Sequence, residues 1–270
     1  MLVGSAPSEL KLGSTTVTGV RRGAGLIYDS DVAAFQKASG ATQVGPLLAL
    51  VDYLKAESLW DYARFYPMKS AQNAGSGSTV YGLGGLTSNN MTLVNSPTWG
   101  SDGVTFASAS SQYGTISDFL GGGTVSAWAR LDHTSGSAVL TQYDFGASKR
   151  SIALDLSGAN VVAARSPTGL SPEVYAGASS VSGENTISAE WIDGAGRSIW
   201  VNKNAETISL IGGTPQTSRL NTDATIGLMA NFNNGVAANL SSGTVVLAGV
   251  IETALTTTQR ETITDLINAL

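Results

Sequence analysis

From Asn90 onward the chain repeats one local pattern, and that pattern limits its fold more than any other feature. Short apolar–polar alternations stand between clusters of Ser, Gly and Asn at intervals of about 8–15 residues, with no helical periodicity between them. In SDGVTF a Ser-Asp-Gly turn leads into Val104 and Phe106 on one face, with Thr105 on the other. QYGTI repeats the pattern, and TVSAWARL, SAVLTQY, SIALDL, ANVVAA, EVYAGA, NTISAEWI, RSIWVN, ETISLI, ATIGLMA and GTVVLAGVI follow. EWIDGAGRSIWVNKN reads as a hairpin, two strands around DGAG. Strands in this number without intervening helices predict an antiparallel β-sandwich.

Helical spacing occurs in two places. DSDVAAFQKASG offers Asp29, Ser30 or Asp31 as an N-cap and Gly40 as a stop. GPLLALVDYLKAESLW places Pro46 in a first turn and Leu47, Leu50, Val51 and Leu54 on one face, as a packing helix requires. At the other end, Thr256 with Gln259, or Thr258 with Glu261, forms a capping box. Ile263, Leu266, Ile267 and Leu270 then make one apolar stripe, a terminal helix laid on the sandwich. Before the first helix, ELKLGSTTVTGVRRGAGLIY predicts one or two short hairpins. WDYARFYPM alternates aromatics like a first strand, so the division is expected after residue 65: an N-terminal β-hairpin and helix region over 1–65, and a sandwich over 66–270.

Composition narrows the function. Charged residues are 13% of the chain against 42% apolar, so a real core is covered by a surface mostly of Ser, Thr, Asn and Gly. Thirty-two glycines against 7 prolines indicate many tight turns. The net charge is −5, and residues 1–70 carry 7 Lys/Arg against 6 Asp/Glu, with no basic run anywhere. Nucleic acid and anionic membrane are therefore not expected partners. No apolar run approaches the roughly 20 residues of a membrane span. MLVGSAPSELKLG has neither the basic nor the apolar region of a secretory signal. The absence of cysteine excludes disulfides, thiolate catalysis and Cys-based zinc sites.

Catalytic constellations are sparse. Glu190 and Asp193 are the nearest approach to a glycosidase acid pair, but their spacing puts them on opposite faces of a strand, with Asp193 in the turn. They are expected to be a solvated edge residue and a turn residue. His133, the one histidine, lies in LDHTSGS, which reads as a polar turn. No catalytic residue and no cofactor are expected, and the chain is expected not to be an enzyme. GLGG at Gly82–Gly85 lacks the Lys-Ser/Thr of a phosphate-binding loop and reads as a turn. Calcium needs only carboxylates and carbonyls, and Asp102, Asp144 and Asp223 are acidic loop candidates without an assigned ligand set. Of the 5 tryptophans, Trp60, Trp128, Trp191 and Trp200 fit core positions. Trp99, in the turn SPTWGSDG, is either packed under a loop or exposed beside Asp102 as a glycan contact, with ring stacking and hydrogen bonds to a sugar.

The ordered set SDGVTFASASSQYGTI, TVSAWARLD, NTISAEWIDGAGRSIWVNKN and LAGVIETALTTTQRETITDLI resembles the laminin-G-like, concanavalin A-like jelly-roll modules. In that family a Gly-Val-x-Phe strand (Gly103 to Phe106 here) precedes a strand with a central Trp, here Trp128. A hairpin follows, and the last strand runs into a pair like Ala254-Leu255 and a short helix. The match covers roughly Asn90 to Leu270. Upstream, DSDVAAFQKASG and LLALVDYLKAESLWDYARFYPM are similar to a segment of tailed-bacteriophage virion proteins, with Leu59-Trp60 and Tyr66-Pro67 as its pairs. KLGSTTVTGVRRGAGLIYD looks like the short β repeats of phage tail and capsid-attached proteins.

The resemblance implies a mainly β protein, an antiparallel concanavalin A-like jelly roll with a small N-terminal attachment region. It implies a virion structural role on the phage particle surface, as a capsid decoration, tail-fibre or spike component. Its partners would be other virion proteins, a second copy of itself in a homo-oligomer, and host-surface glycans. Laminin-G-like domains often bind calcium at a rim. The alternative is a secreted or surface carbohydrate-binding module, or a polysaccharide-degrading enzyme of the same fold.

Overall fold

The computed structural model describes the chain apart from residues 1–9, 13–14, 23–24, 87–89, 117–122, 145–148, 158–159, 166–172, 193–195 and 214–224. Two antiparallel sheets pack face to face. The first runs, in spatial order, Asn204–Ala205, Gly196–Val201, Glu184–Ile192, Val125–Ser135 and Ser242–Ile251. The far edge of Ser242–Ile251 is shared: its first half pairs with Val104–Phe106 and its second half with Ala63–Pro67. The second sheet runs Ser209–Gly212, Glu173–Ser180, Asn160–Arg165, Lys149–Ser157, Ala138–Asp144, Ile226–Leu228, Tyr113–Ile116, Met91–Val94 and Thr79–Val80. Val104, Phe106, Ala127, Ile187 and Trp191 from the first sheet meet Leu93, Leu140, Ile152, Leu154 and Leu228 from the second in one core. The architecture is a mainly β, antiparallel jelly roll with a short C-terminal helix.

Three helices cover the outer face of the first sheet. α1 (Ser30–Ser39) starts at Asp29, whose carboxylate accepts the N–H groups of Asp31 and Val32, and stops at Gly40, a left-handed residue with φ 73°. α2 (Gly45–Ala56) has Pro in its first turn, and Leu47, Leu50, Val51 and Leu54 are buried as the apolar stripe requires. α3 (Thr257–Asn268) is started by the Thr256–Gln259 capping box, one of the two alternatives in the sequence, and buries Ile263 and Ile267. Thr256→Ala removes one partner of an orphan N–H and is expected to cost about 1 kcal/mol in a chemical denaturation experiment.

Period-two alternation explains why Val125–Ala129 is buried without interruption. Val125, Ala127 and Ala129 face the sandwich, whereas Ser126 and Trp128 face the helices. The register sets Trp128, Gly249 and Phe65 side by side on that outer face. Phe65 lies so close over Gly249 that a Cβ there would sit 2.1 Å from its ring, and the Phe65 and Trp128 rings meet at 6.4 Å. The strand expected from WDYARFYPM begins only at Ala63, because Trp60–Tyr62 forms a 3₁₀ turn. The division expected after residue 65 therefore falls inside a strand. Val32, Phe35 and the α2 stripe share a single core with Phe65, Trp128, Leu247 and Ile263. Ahead of α1, among the described residues, Leu10–Leu12 pairs with Thr15–Val17 and Gly19–Arg22 with Gly25–Asp29, both antiparallel.

In the second sheet Leu154 and Leu156 point into the sandwich, so Asp155 between them belongs to the opposite face. Its Oδ1 is enclosed without a hydrogen-bond partner, and burial pushes its pKa up to about 7. In the unfolded chain an aspartate titrates near 3.9, so ionisation favours unfolding as the pH rises from about 4 to about 7. Asp155→Asn is expected to match the wild type in stability below pH ~4 and to exceed it increasingly up to pH ~7. Urea denaturation of both proteins across this range checks the difference; parallel curves would contradict it.

Candidate functional site

The residues singled out in the sequence do not converge. Trp99 ends the short strand Thr98–Trp99, half-buried against the sandwich core, and its Nε1 donates to the Gly77 carbonyl at 3.0 Å. Asp102 is exposed three residues on, in a turn closed by the Gly100 N–H on the Gly103 carbonyl, and its carboxylate accepts the Ser101 hydroxyl. His133 lies within the strand Val125–Ser135 rather than in a turn, and burial pushes its pKa down. The carboxylate of Asp144 accepts the N–H groups of Asn234 at 2.7 Å and Gly235 at 2.6 Å, anchoring the hairpin Asn231–Asn233/Val236–Ala238. Asp193 and Asp223 lie outside the described residues. Among the described residues no three His, Asp or Glu side chains cluster as metal ligands, and no helix is long and apolar enough to cross a membrane.

Glu190 corrects the expectation of a solvated edge. It is 4% exposed, on the outer face of the first sheet and beneath α3. Its Oε2 pairs with Arg260 Nη2 at 2.8 Å, while Oε1 accepts the Leu255 N–H and the Ser126 hydroxyl. The Arg260 guanidinium stands 5.4 Å from the Trp128 ring and 5.5 Å from the Trp200 ring. Outward on this strand means toward a helix, not toward water, because α3 covers the sheet. A carboxylate held on both oxygens is a packing element, not a free general acid or base.

A cleft that the sequence did not announce lies between α1 and the loop after Thr79–Val80. Its volume is about 510 Å³, within the roughly 300–1,000 Å³ common for small-molecule sites. One side of α1 supplies Asp31, Ala34, Phe35 and Ala38, spaced three, one and three apart as one helical face requires. Trp60 and Tyr81 add ring surface, and Asn90 stands at the rim.

The opposite wall is the GLGG run. Phe65 and Leu83 exchange both backbone hydrogen bonds at 2.7 Å, which draws the loop against the strand Ala63–Pro67. A Cβ at Gly82 would sit 2.7 Å from the Arg64 side chain, one at Gly84 1.9 Å from the Ala63 carbonyl oxygen, and one at Gly85 2.8 Å from Trp60. Gly84 also has φ 150°. The loop is held from beneath by Arg64, which donates to the carbonyls of Gly82 and Leu86. Asn90 Oδ1 accepts the Gly82 N–H, and Asn73 bridges the Tyr81 N–H and carbonyl. The wall is preorganised by these bonds rather than by side-chain bulk.

At the mouth, Lys55 of α2 bonds Asp29 at 2.7 Å and Asp31 at 2.5 Å and stands 4.8 Å from the Trp60 ring centroid. The two carboxylates push the Lys55 pKa up against the burial that would lower it, so it stays charged at neutral pH.

No family model matches the sequence, and no curated protein matches it. Solved structures do. The botulinum neurotoxin serotype D binding domain overlaps 77% of this chain with TM-score 0.55 at 9% identity. The serotype D ligand-binding domain in complex with N-acetylneuraminic acid overlaps 80% with TM-score 0.53 at 8% identity. A structure from work on the entry of botulinum neurotoxin type C, described as dependent on two ganglioside molecules, overlaps 78% with TM-score 0.50 at 8% identity. The chain spans about half the length of each, 52%, 52% and 53%. At such identities the similarity shows a shared jelly-roll β-sandwich.

Proposed function

We propose that this protein is a non-enzymatic structural component of a tailed-bacteriophage particle, displaying its jelly roll outward to hold host-surface glycans. The observation that carries the glycan part is the preorganised cleft with aromatic and polar walls on a charge-poor sandwich. It is supported by the sialic acid and ganglioside ligands named for two proteins of the same fold. The particle context rests on the resemblance of Asp29–Met68 and of the N-terminal repeats to virion segments. The two hairpins ahead of α1, Leu10–Leu12 with Thr15–Val17 and Gly19–Arg22 with Gly25–Asp29, are the segment we assign to attachment to neighbouring virion proteins or to a second copy. The non-enzymatic reading draws on Glu190, the nearest acid-pair candidate, being locked to Arg260.

Mass spectrometry of purified particles is expected to find the full-length chain in many copies, and its absence would end the virion reading. A glycan array probed with the full-length protein tests adhesion. Release of reducing ends from a bound polysaccharide would overturn the non-enzymatic assignment.

A further inference from the structure

Resting on the glycan reading above, we infer that the cleft between α1 and Gly82–Gly85 is the sugar site, and that it takes an uncharged hexopyranose rather than a sialic acid or another anionic sugar. Space comes first. Ala34 and Ala38 are exposed, small residues on the α1 face, and the opposite wall is bare backbone at Gly82, Gly84 and Gly85. A larger side chain is excluded at Gly84 by the Ala63 backbone, at Gly85 by the Trp60–Asp61 turn and at Gly82 by the Arg64 and Tyr66 side chains. The loop is therefore held close against that layer, and the exposed Ala34 and Ala38 leave the space in front of it.

Chemistry comes second. Trp60 and Tyr81 line the cleft, and with Lys55 over one face of the Trp60 ring, a pyranose C–H face would stack on the other face or on Tyr81. Asp31 and Asn90 offer acceptor and donor groups for hydroxyls. Lys55 occupies Asp31 Oδ2, and a carboxylate has a second oxygen to accept from a sugar.

Charge decides the class of sugar. Asp29, Asp31 and Asp61 stand at or beside the cleft, with the Asp61 carboxylate next to Gly85. The two cations nearby are already engaged: Lys55 with Asp29 and Asp31, and Arg64 with the carbonyls of Gly82 and Leu86. An anionic sugar would enter a region of net negative charge with its cations spent on internal partners, and would meet repulsion. A neutral pyranose meets none.

The test uses the full-length protein on an array of neutral hexose oligosaccharides printed beside their sialylated counterparts. Titrations of the strongest neutral hit follow with wild type, Ala38→Trp and Trp60→Ala. Ala38→Trp fills the cleft from an exposed helical position and removes no buried contact, and thermal melting confirms that it folds. Binding to neutral glycans, weakened at least tenfold by Ala38→Trp, is the expected result. Neutral-glycan binding unchanged in both variants would overturn the site while leaving the glycan reading intact. Binding to sialylated glycans alone would overturn the ligand class. No binding to any glycan would overturn the glycan reading and this inference with it.

Discussion

Arg260→Ala is expected to lower the unfolding free energy by about 3–5 kcal/mol, the range found when one partner of a buried ion pair is removed. Arg260 is 2% exposed and Glu190 4%. Without the guanidinium, Glu190 keeps only the Leu255 N–H and the Ser126 hydroxyl, and its charge stays under α3 with no counter-charge. The loss also opens space between Trp128 and Trp200. The double variant Glu190→Gln, Arg260→Met is expected to recover most of the deficit, because a neutral pair of similar volume needs no charge compensation. Guanidinium denaturation of the single and double variants reads both quantities. A deficit under about 1 kcal/mol in the single variant would mean that water reaches the pair, as at exposed salt bridges.

Leu50→Ala should cost about 2–5 kcal/mol, the range for a large-to-small change at a fully packed site. Leu50 is 0% exposed and sits with Leu47, Val51 and Leu54 in the core that joins α2 to Phe65, Trp128 and Leu247. The effect should register in one cooperative transition with the rest of the jelly roll, since α2 and the sheet share that core. A separate low-temperature transition for the helices would contradict this coupling.

Local signals were legible in the sequence where their physics is local. Asp29, Gly40 and Thr256–Gln259 act at helix ends over three or four residues, and each acts as its type suggests. The α2 stripe and the inward face of Trp191 follow from periodicity, whereas Trp128, on the outer face, is buried by the helices over it. Alternation places Glu190 on the outer face of its strand but says nothing of what covers that face. A signal was present: Arg260 falls three residues before Ile263 and seven before Ile267, on the stripe that α3 buries. A charged residue on an apolar helical stripe calls for a buried counter-charge. The cleft was hidden for a different reason. Its walls, α1 and Gly82–Gly85, lie about 50 residues apart and meet only because Leu83 pairs with Phe65. GLGG reads as a turn from its composition. That Gly84 is demanded by the Ala63 backbone and Gly85 by the Trp60–Asp61 turn is a tertiary fact.

The strand Ser242–Ile251 has a kinetic consequence. Its second half pairs with Ala63–Pro67, and Pro67 and its partner Leu247 are 180 positions apart. During synthesis the apolar face of α2 leaves the ribosome long before the strand and the helix α3 that cover it. Contacts of such sequence separation slow folding, because a large loop must close before they repay its entropy. Until then the Leu/Val stripe of α2 lacks the sheet and the helix α3 that complete its cover, and Ser242–Ile251 closes both the sandwich and the helical layer at once. Refolding from denaturant should be correspondingly slow, with aggregation rising with concentration while that seam stays open.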